Sequence, residues 1–213
     1  MVELTSLLKA FIAIFVLINP LEGIPFYLQR TYAMTPEKRR VIAHKAGVAV
    51  LLILLVSLAT GQAILATFGI TQGAFQSAGG IIIFLISLKM VLGPAQSDDQ
   101  SQPAAQPTTD SFAIVPLAIP LLAGPGPIGT VIVYAASEKT WDWWLGLTAV
   151  VFLASAATYA SLLLATPIGK RLGPTGIDVA TRISGLLVSA IAIEMVASGI
   201  KEMLPALAAT PGG

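Results

Sequence analysis

Residues 18–25 read INPLEGIP and interrupt an apolar stretch that runs from Leu7 to Leu28. Pro20 and Pro25 lack a backbone amide hydrogen, and a proline inside a helix also clashes with the preceding turn. In a bilayer, freed backbone groups are tolerated only where protein or a water-filled cavity surrounds them. The stretch therefore predicts a discontinuous helix beside a cavity.

The composition is that of an integral membrane protein. The 213 residues are 55% hydrophobic and 11% charged, against roughly 25% charged in soluble domains. Residues 145–168 carry no charge and are long enough to cross a bilayer, which takes about 20 residues. The N-terminal segment lacks a signal-peptide cleavage pattern, so we expect it to be the first span.

Hydropathy predicts six transmembrane helices in an all-α membrane protein. The expected spans are 5–29, 42–66, 73–92, 112–136, 144–168 and 179–203. A linker rich in Gln, Ser, Pro and Asp, residues 94–111, separates a first three-span repeat, residues 1–93, from a second, residues 112–213.

The two halves repeat short motifs in the same order. INPLEGIP aligns with IPLLAGP (119–125) at a spacing of 100, GIT (69–71) with GID (176–178) at 107, and QSAGG (76–80) with RISGL (182–186) at 106. An odd number of spans per repeat turns the second copy upside down. The sequence therefore predicts two inverted three-helix repeats with discontinuous helices one and four.

The repeated residues suit helix starts and close helix packing. Thr71 and Asp178 are N-cap residue types, expected to open the third and sixth helices. Gly79 and Gly185 would allow these helices to approach a neighbour closely.

Lysine and arginine residues predict the orientation. The loops after spans one and five carry most of them: Arg30, Lys38, Arg39, Arg40, Lys45, Lys170, Arg171 and Arg182. The positive-inside rule places these loops on the cytoplasmic side of the inner (cytoplasmic) membrane. Both termini then lie on the outer side.

A broken helix exposes one helix N-terminus, which attracts an anion, and one C-terminus, which attracts a cation. A small zwitterionic amino acid would satisfy both helix ends. The alternative is that the break is a purely structural kink. The candidate substrate-binding residues are Asn19, Pro20, Glu22, Gly23 and Pro25 in the first half, and Gly124, Pro125 and Gly126 in the second.

Two intramembrane carboxylates are candidates for coupling transport to a proton or sodium ion. Glu22 lies in the first break, and Glu194 lies deep in span six, where Leu88 is its partner in the other half. Such residues are functional candidates by default. The alternative for each is a carboxylate that reaches water.

The sequence contains no pattern typical of an enzyme or a nucleic-acid-binding protein. It has no cysteine and no cluster of His and carboxylate residues at metal-ligand spacing, nor a nucleophile–base–acid set. We expect no catalytic residue, no metal and no cofactor.

The chain resembles the MarC family of inner-membrane proteins. The resemblance is carried by INPLEGIPFYLQRT (18–31), FGITQGAFQSAGGIII (68–83), VPLAIPLLAGPGPIGTVIV (115–133) and GIDVATRISGLLVSAIAIEMVASGIK (176–201). It implies a six-span fold and, by similarity to the SnatA branch, transport of small neutral amino acids such as glycine and alanine. Glu22 and Gln76 depart from the family pattern, which commonly has Gly and Arg there.

These observations predict a secondary transporter of a small neutral amino acid, coupled to a cation. The alternatives are a non-transporting membrane scaffold, whose breaks serve packing, and an exporter of other small metabolites or drugs.

Overall fold

The computed structural model describes residues 4–31, 33–92, 122–137 and 140–204, apart from the side chains of Glu22, Gln29 and Pro174. The linker 94–111 and Pro120 lie outside these residues. Every regular element in the described part is helical. The helices are α1 (Leu4–Ile18), α2 (Pro20–Thr31), α3 (Pro36–Thr67), α4 (Gln72–Leu92), α5 (Pro125–Ser137), α6 (Trp141–Leu163) and α7 (Ala165–Met203).

Four helical segments are long and apolar enough to cross a membrane: Pro36–Thr67, Gln72–Leu92, Trp141–Leu163 and Thr175–Met203. Leu4–Ile18 is apolar but shorter. Large apolar side chains on the outer surface, such as Leu52, Phe152 and Leu186, are at least half exposed. Such a surface is suited to lipid rather than to water.

The helices form two packing units. A large apolar core joins α1, α3 and α6, with α2 and α5 against it. A smaller cluster joins α4 to α7 and reaches the first unit through Leu17 of α1. The surface between the two units is where an internal cavity could form.

The first break is confirmed, but it is shorter than predicted. α1 ends at Ile18, Asn19 has φ 45°, and α2 begins at Pro20. Asparagine tolerates a left-handed conformation better than other residues with a side chain, and proline suits the first position of a helix. Pro25, expected to extend the break, lies inside α2; membrane helices accommodate such a proline because neighbouring groups re-satisfy the backbone.

A short non-helical stretch precedes α5. Ala123 and Gly124 are non-helical, and Pro125 is the first residue of the helix. The amide of Ile128 donates to the carbonyl of Gly124 at 3.3 Å. α2 and α5 therefore begin in the same way, with a proline at the first helical position. Residues 112–121 of the predicted fourth span lie outside the described residues.

α4 and α7 run antiparallel and approach closely at glycines. A Cβ atom on Gly80 would lie 2.7 Å from the carbonyl oxygen of Ala192, and one on Gly185 would lie 3.2 Å from that of Ser87. The prediction for Gly185 is confirmed. The prediction for Gly79 is wrong, because the nearest atom to a Cβ there is 3.9 Å away; the neighbouring Gly80 makes the close contact.

Three pairs of residues with the same local role are separated by 105 positions. They are the prolines that open α2 and α5, the threonines whose side chains cap α3 and α6, and two glycines of the α4–α7 contact. The pairs are Pro20 and Pro125, Thr35 and Thr140, and Gly80 and Gly185. This spacing differs from the values of 100, 106 and 107 that the short motifs predicted.

At a spacing of 105, the position that pairs with Glu194 is Lys89, whereas the predicted spacing of 106 gave Leu88. The two predicted N-cap residues differ in outcome. Thr71 caps α4 as predicted, accepting a hydrogen bond from the amide of Ala74 at 3.2 Å. Asp178 is not an N-cap, because it lies within α7 and accepts a hydrogen bond from Arg182 at 2.9 Å.

We expect Gly80→Ala to lower the stability of the protein by about 1–3 kcal/mol, the usual cost of overpacking. The added methyl group would meet a backbone oxygen, which cannot rotate away. Gly79→Ala is the matched control, since a Cβ atom there would make only an ordinary contact, 3.9 Å from Cε of Met195. Thermal unfolding of the purified variants in detergent provides the measurement. Equal melting temperatures for the two variants would contradict the packing described here.

Candidate functional site

The break at Asn19 and the start of α5 meet at one cavity of about 210 Å³. We call it the break cavity. It lies between the two packing units, with α1 and α5 on one side and α4 and α7 on the other. Its lining residues are Leu17, Asn19, Ile83, Ile86, Met90, Gly124, Pro125, Gly126, Pro127 and Val188.

Asn19 is the side chain with the most hydrogen-bonding capacity in this lining. It is buried, and its Nδ2 atom lies 3.8 Å from the Sδ atom of Met90. A thioether sulfur is a weak acceptor. The Asn19 amide has two donor hydrogens, so it can also donate to a carboxylate or carbonyl oxygen that enters the cavity.

The start of α5 presents backbone to the cavity. The first amides of a helix have no partner within the helix. Pro125 and Pro127 have no amide hydrogen, and the amide of Ile128 donates to Gly124. Gly126 therefore supplies the amide of this first turn that can face a ligand, at the positive end of the α5 dipole.

The glycine at position 126 keeps the cavity open. A Cβ atom there would lie 3.3 Å from Cγ1 of Ile83 and 3.7 Å from Cδ2 of Leu17. Both neighbours line the same cavity. Any side chain larger than a methyl group would therefore occupy the space between the two packing units.

The cavity walls are uncharged among the described residues. No Asp, Glu, Lys, Arg or His is among the lining residues named above. A ligand with net charge would have to be buried there without a counter-charge, which is costly. A neutral or zwitterionic ligand avoids this cost, because hydrogen bonds and helix ends serve both of its charges.

Four of the predicted substrate-binding residues come together in the break cavity: Asn19, Gly124, Pro125 and Gly126. Pro20 is buried but does not line this cavity. Gly23 packs on Leu122, and a Cβ atom built on Gly23 would lie 3.0 Å from Cδ2 of Leu122. Pro25 lines a separate cavity with Gly169 and Gly173, between α2 and α7. The Pro25 prediction assumed a break that spans 18–25, whereas the observed break is at Asn19.

The coupling candidates differ in position. The backbone of Glu22 lies in the first turn of α2, three residues after Asn19, and its side chain lies outside the described atoms. Glu194 is exposed on the outer face of α7 and is absent from the lining of the break cavity. Hydropathy could not predict this, because it does not indicate which face of a helix points inward.

The sequence interpretation missed the apolar part of the cavity. Ile83, Ile86, Met90 and Val188 belong to the α4–α7 pair. The spacing of 105 was the available signal, since it relates Ile83 to Val188 and Met90 to Met195. In the described part of the chain, no group of three or more His, Cys, Asp or Glu side chains could hold a metal ion.

Comparison with known proteins identifies relatives over nearly the full length. Residues 4–204 match the model of the MarC family integral membrane protein. The chain is 33% identical to a UPF0056 membrane protein of Buchnera aphidicola subsp. Schizaphis graminum, over 97% of both chains. It is 37% identical to one of Aquifex aeolicus, over 92% of both chains.

A further relative is the UPF0056 membrane protein YhcE of Escherichia coli. The identity is 35%, over 93% of this chain and 94% of the relative. No solved structure matches the chain. The family match and these identities over nearly full length show that the chain belongs to the MarC (UPF0056) family of integral membrane proteins.

Proposed function

We propose that this protein is a secondary transporter of a small neutral amino acid of the glycine and alanine class. The observation that carries the proposal is the convergence of the helix break at Asn19 and the non-helical stretch before α5 on one cavity whose described lining is uncharged. We take the stretch before α5 as the break in helix four. Paired broken helices are the usual construction of substrate sites in transporters with inverted repeats. SnatA-like amino-acid transport is the family activity that best suits such a cavity.

The size of the cavity favours a small substrate. Its volume of about 210 Å³ is below the range of roughly 300–1,000 Å³ that is typical of pockets for drug-sized ligands. The apolar residues Ile83, Ile86 and Val188 leave space for a hydrogen atom or a methyl group as side chain. An exporter of bulky drugs is less compatible with these dimensions.

The polar groups suit a zwitterion. The amide of Gly126 and the α5 dipole would hold the carboxylate, with the Asn19 side chain as a second donor. The last carbonyl groups of α1 lack partners within the helix and lie beside Leu17, which lines the cavity. They would accept hydrogen bonds from the ammonium group.

A six-span, inverted-repeat architecture accounts for the contacts between α4 and α7. The hydroxyl of Ser77 donates to the carbonyl of Val196 at 3.5 Å, and Arg182 donates to that of Val91 at 3.0 Å. The spacing of 105 relates the donor Ser77 to the donor Arg182, and the acceptor Val91 to the acceptor Val196. The two hydrogen bonds therefore exchange under the repeat. Such an exchange is expected of a twofold axis in the membrane plane, which supports the inverted-repeat proposal.

The same axis suggests a transport cycle. The cavity includes Met90 and Ile86 but not their counterparts Met195 and Ile191. Three of the lining residues belong to α4 and only one to α7, so the cavity is not symmetric about the proposed axis. We take this asymmetric cavity as one of two related states of the transporter. In the other state, movement of the α4–α7 pair against the larger unit would open the side of Met195.

Glu22 remains the preferred coupling residue for a proton or sodium ion, because its backbone is close to the break. Glu194, exposed on α7, is a weaker candidate. The positive-inside rule continues to favour an inner-membrane location with both termini outside. On that orientation, the cavity described here lies nearer the cytoplasmic end of α4.

Ligand-dependent stability of the purified protein tests the proposal. We expect glycine and alanine to raise the melting temperature, whereas phenylalanine, glutamate and lysine do not. A ligand at 100 times its dissociation constant adds about 2.7 kcal/mol to the free energy of unfolding. If no small neutral amino acid stabilises the protein at any attainable concentration, the substrate proposal is wrong and a scaffold role becomes the better account.

A further inference from the structure

A second cavity, of about 220 Å³, lies between α3 and α6 on the outer surface of the helix bundle. We call it the lateral groove. It is separate from the break cavity and shares no lining residue with it. The residues that matter for its chemistry are His44, Val48, Leu51, Phe152, Ser155 and Tyr159.

The hydroxyl of Ser155 distinguishes this groove from an ordinary helix–helix seam. Ser155 is only 4% exposed, and its Oγ atom has no hydrogen-bond partner. On the same helix, Thr158 and Ser161 donate to the carbonyl four residues earlier, each at 2.8 Å. A buried hydroxyl without a hydrogen-bond partner lowers the stability of the folded protein by about 1–3 kcal/mol. A ligand that accepts a hydrogen bond from Ser155 in the groove would remove this cost.

A glycine forms the base of the groove. A Cβ atom on Gly47 would lie 3.0 Å from Cβ of Tyr159, so α3 and α6 are in close contact there. Above this contact, the rings of His44 and Tyr159 meet edge to face, with centroids 5.8 Å apart. Val48 and Phe152 flank the opening and are exposed. The groove is therefore open sideways, toward lipid.

The chemistry changes in a regular order along α3. Arg40, His44, Val48 and Leu51 follow at intervals of three or four residues, so they share one helix face. Arg40 and His44 are exposed near the start of the helix. From Arg40 to Leu51 the helix rises about 16 Å, at 1.5 Å per residue. Basic groups come first, the hydroxyl of Ser155 lies deeper across the seam, and apolar side chains complete the groove.

We propose that the lateral groove binds one anionic phospholipid. Arg40 and His44 would contact its phosphate, as basic pockets beside transmembrane helices do. The hydroxyl of Ser155 would donate to an ester carbonyl of the glycerol backbone. One acyl chain would lie along Val48, Leu51 and Phe152. The occupant is a lipid rather than a soluble anion, because the groove opens sideways and is otherwise apolar.

Native mass spectrometry of the delipidated full-length protein tests the proposal, with phosphatidylglycerol as the probe and phosphatidylcholine as the neutral comparison. We expect one phosphatidylglycerol to bind more tightly than phosphatidylcholine. Arg40→Gln should weaken that binding about five-fold, the effect of one basic residue near the surface. Ser155→Ala should weaken the binding of both lipids about two- to ten-fold, the effect of one hydrogen bond.

Two matched controls keep the result interpretable. Lys38→Gln removes an exposed charge from another face of the same helix, and Ser161→Ala removes a hydroxyl that already has a partner. Both should bind lipid like the wild type. The proposal is overturned if the two lipids bind equally, or if Arg40→Gln and Ser155→Ala behave like their controls. Arg40 is exposed, so its variant reports on binding without a change in the core.

Discussion

Replacing Gly126 with leucine should abolish the stabilisation of the protein by glycine and alanine. The new side chain would start 3.3 Å from Ile83 and 3.7 Å from Leu17, and it would project into the cavity of about 210 Å³ in which the substrate is proposed to lie. Wild-type protein at 100 times the dissociation constant gains about 2.7 kcal/mol. Under the same conditions, the variant should gain nothing measurable.

The Gly126→Leu variant should still fold, because the leucine enters an existing cavity rather than a filled core. Gly126→Ala gives an intermediate test, since a methyl group narrows the cavity without filling it. Ala59→Leu is the control, because Ala59 is exposed on α3 and is absent from the lining of the break cavity. Unchanged amino-acid binding by well-folded Gly126→Leu protein would place the substrate site elsewhere.

Replacing Asn19 with glycine should weaken binding of glycine and alanine by roughly 10- to 100-fold. The variant loses the side-chain amide, and a hydrogen bond to a charged group contributes about 1.5–3 kcal/mol. Glycine is the right replacement because it accepts the φ of 45° at this position. An alanine would add about 1–2 kcal/mol of backbone strain, and the loss of the side-chain amide could then not be separated from that strain.

Isothermal titration calorimetry of Asn19→Gly and Asn19→Asp separates the role of the amide from that of the backbone. Aspartate keeps the shape of the side chain but places a negative charge beside the proposed carboxylate position, so it should bind more weakly still. Both variants must first show a cooperative melting transition. Wild-type affinity in folded Asn19→Gly would mean that Asn19 serves only to end α1.

The motif INPLEGIP predicted the position of the first break but not its extent. The sequence presents Pro20 and Pro25 as two similar helix breakers, yet the chain is helical at Pro25. The difference arises at Asn19, whose left-handed backbone ends α1 and leaves Pro20 at the first position of α2. That outcome depends on a backbone angle, which residue type favours but does not determine.

The sequence predicted close packing of α4 against α7 but selected the wrong glycine on α4. In an apolar composition, short motifs align almost equally well at several spacings, and the alignment of QSAGG with RISGL places Gly79 opposite Gly185. In the structure Gly80 makes the close backbone contact, which only glycine permits. Likewise, the inward or outward direction of Glu194 depends on how α7 packs, which its own sequence does not specify.

Counterflow of labelled alanine into proteoliposomes tests the central claim most directly, since it requires transport but no knowledge of the coupling ion. Vesicles are loaded with unlabelled alanine, diluted into a trace of labelled alanine and sampled over time. We expect transient accumulation of label with the wild type and none with Gly126→Leu reconstituted to the same density. If folded wild-type protein accumulates no more label than Gly126→Leu or empty vesicles, the break cavity is not a transport site for alanine.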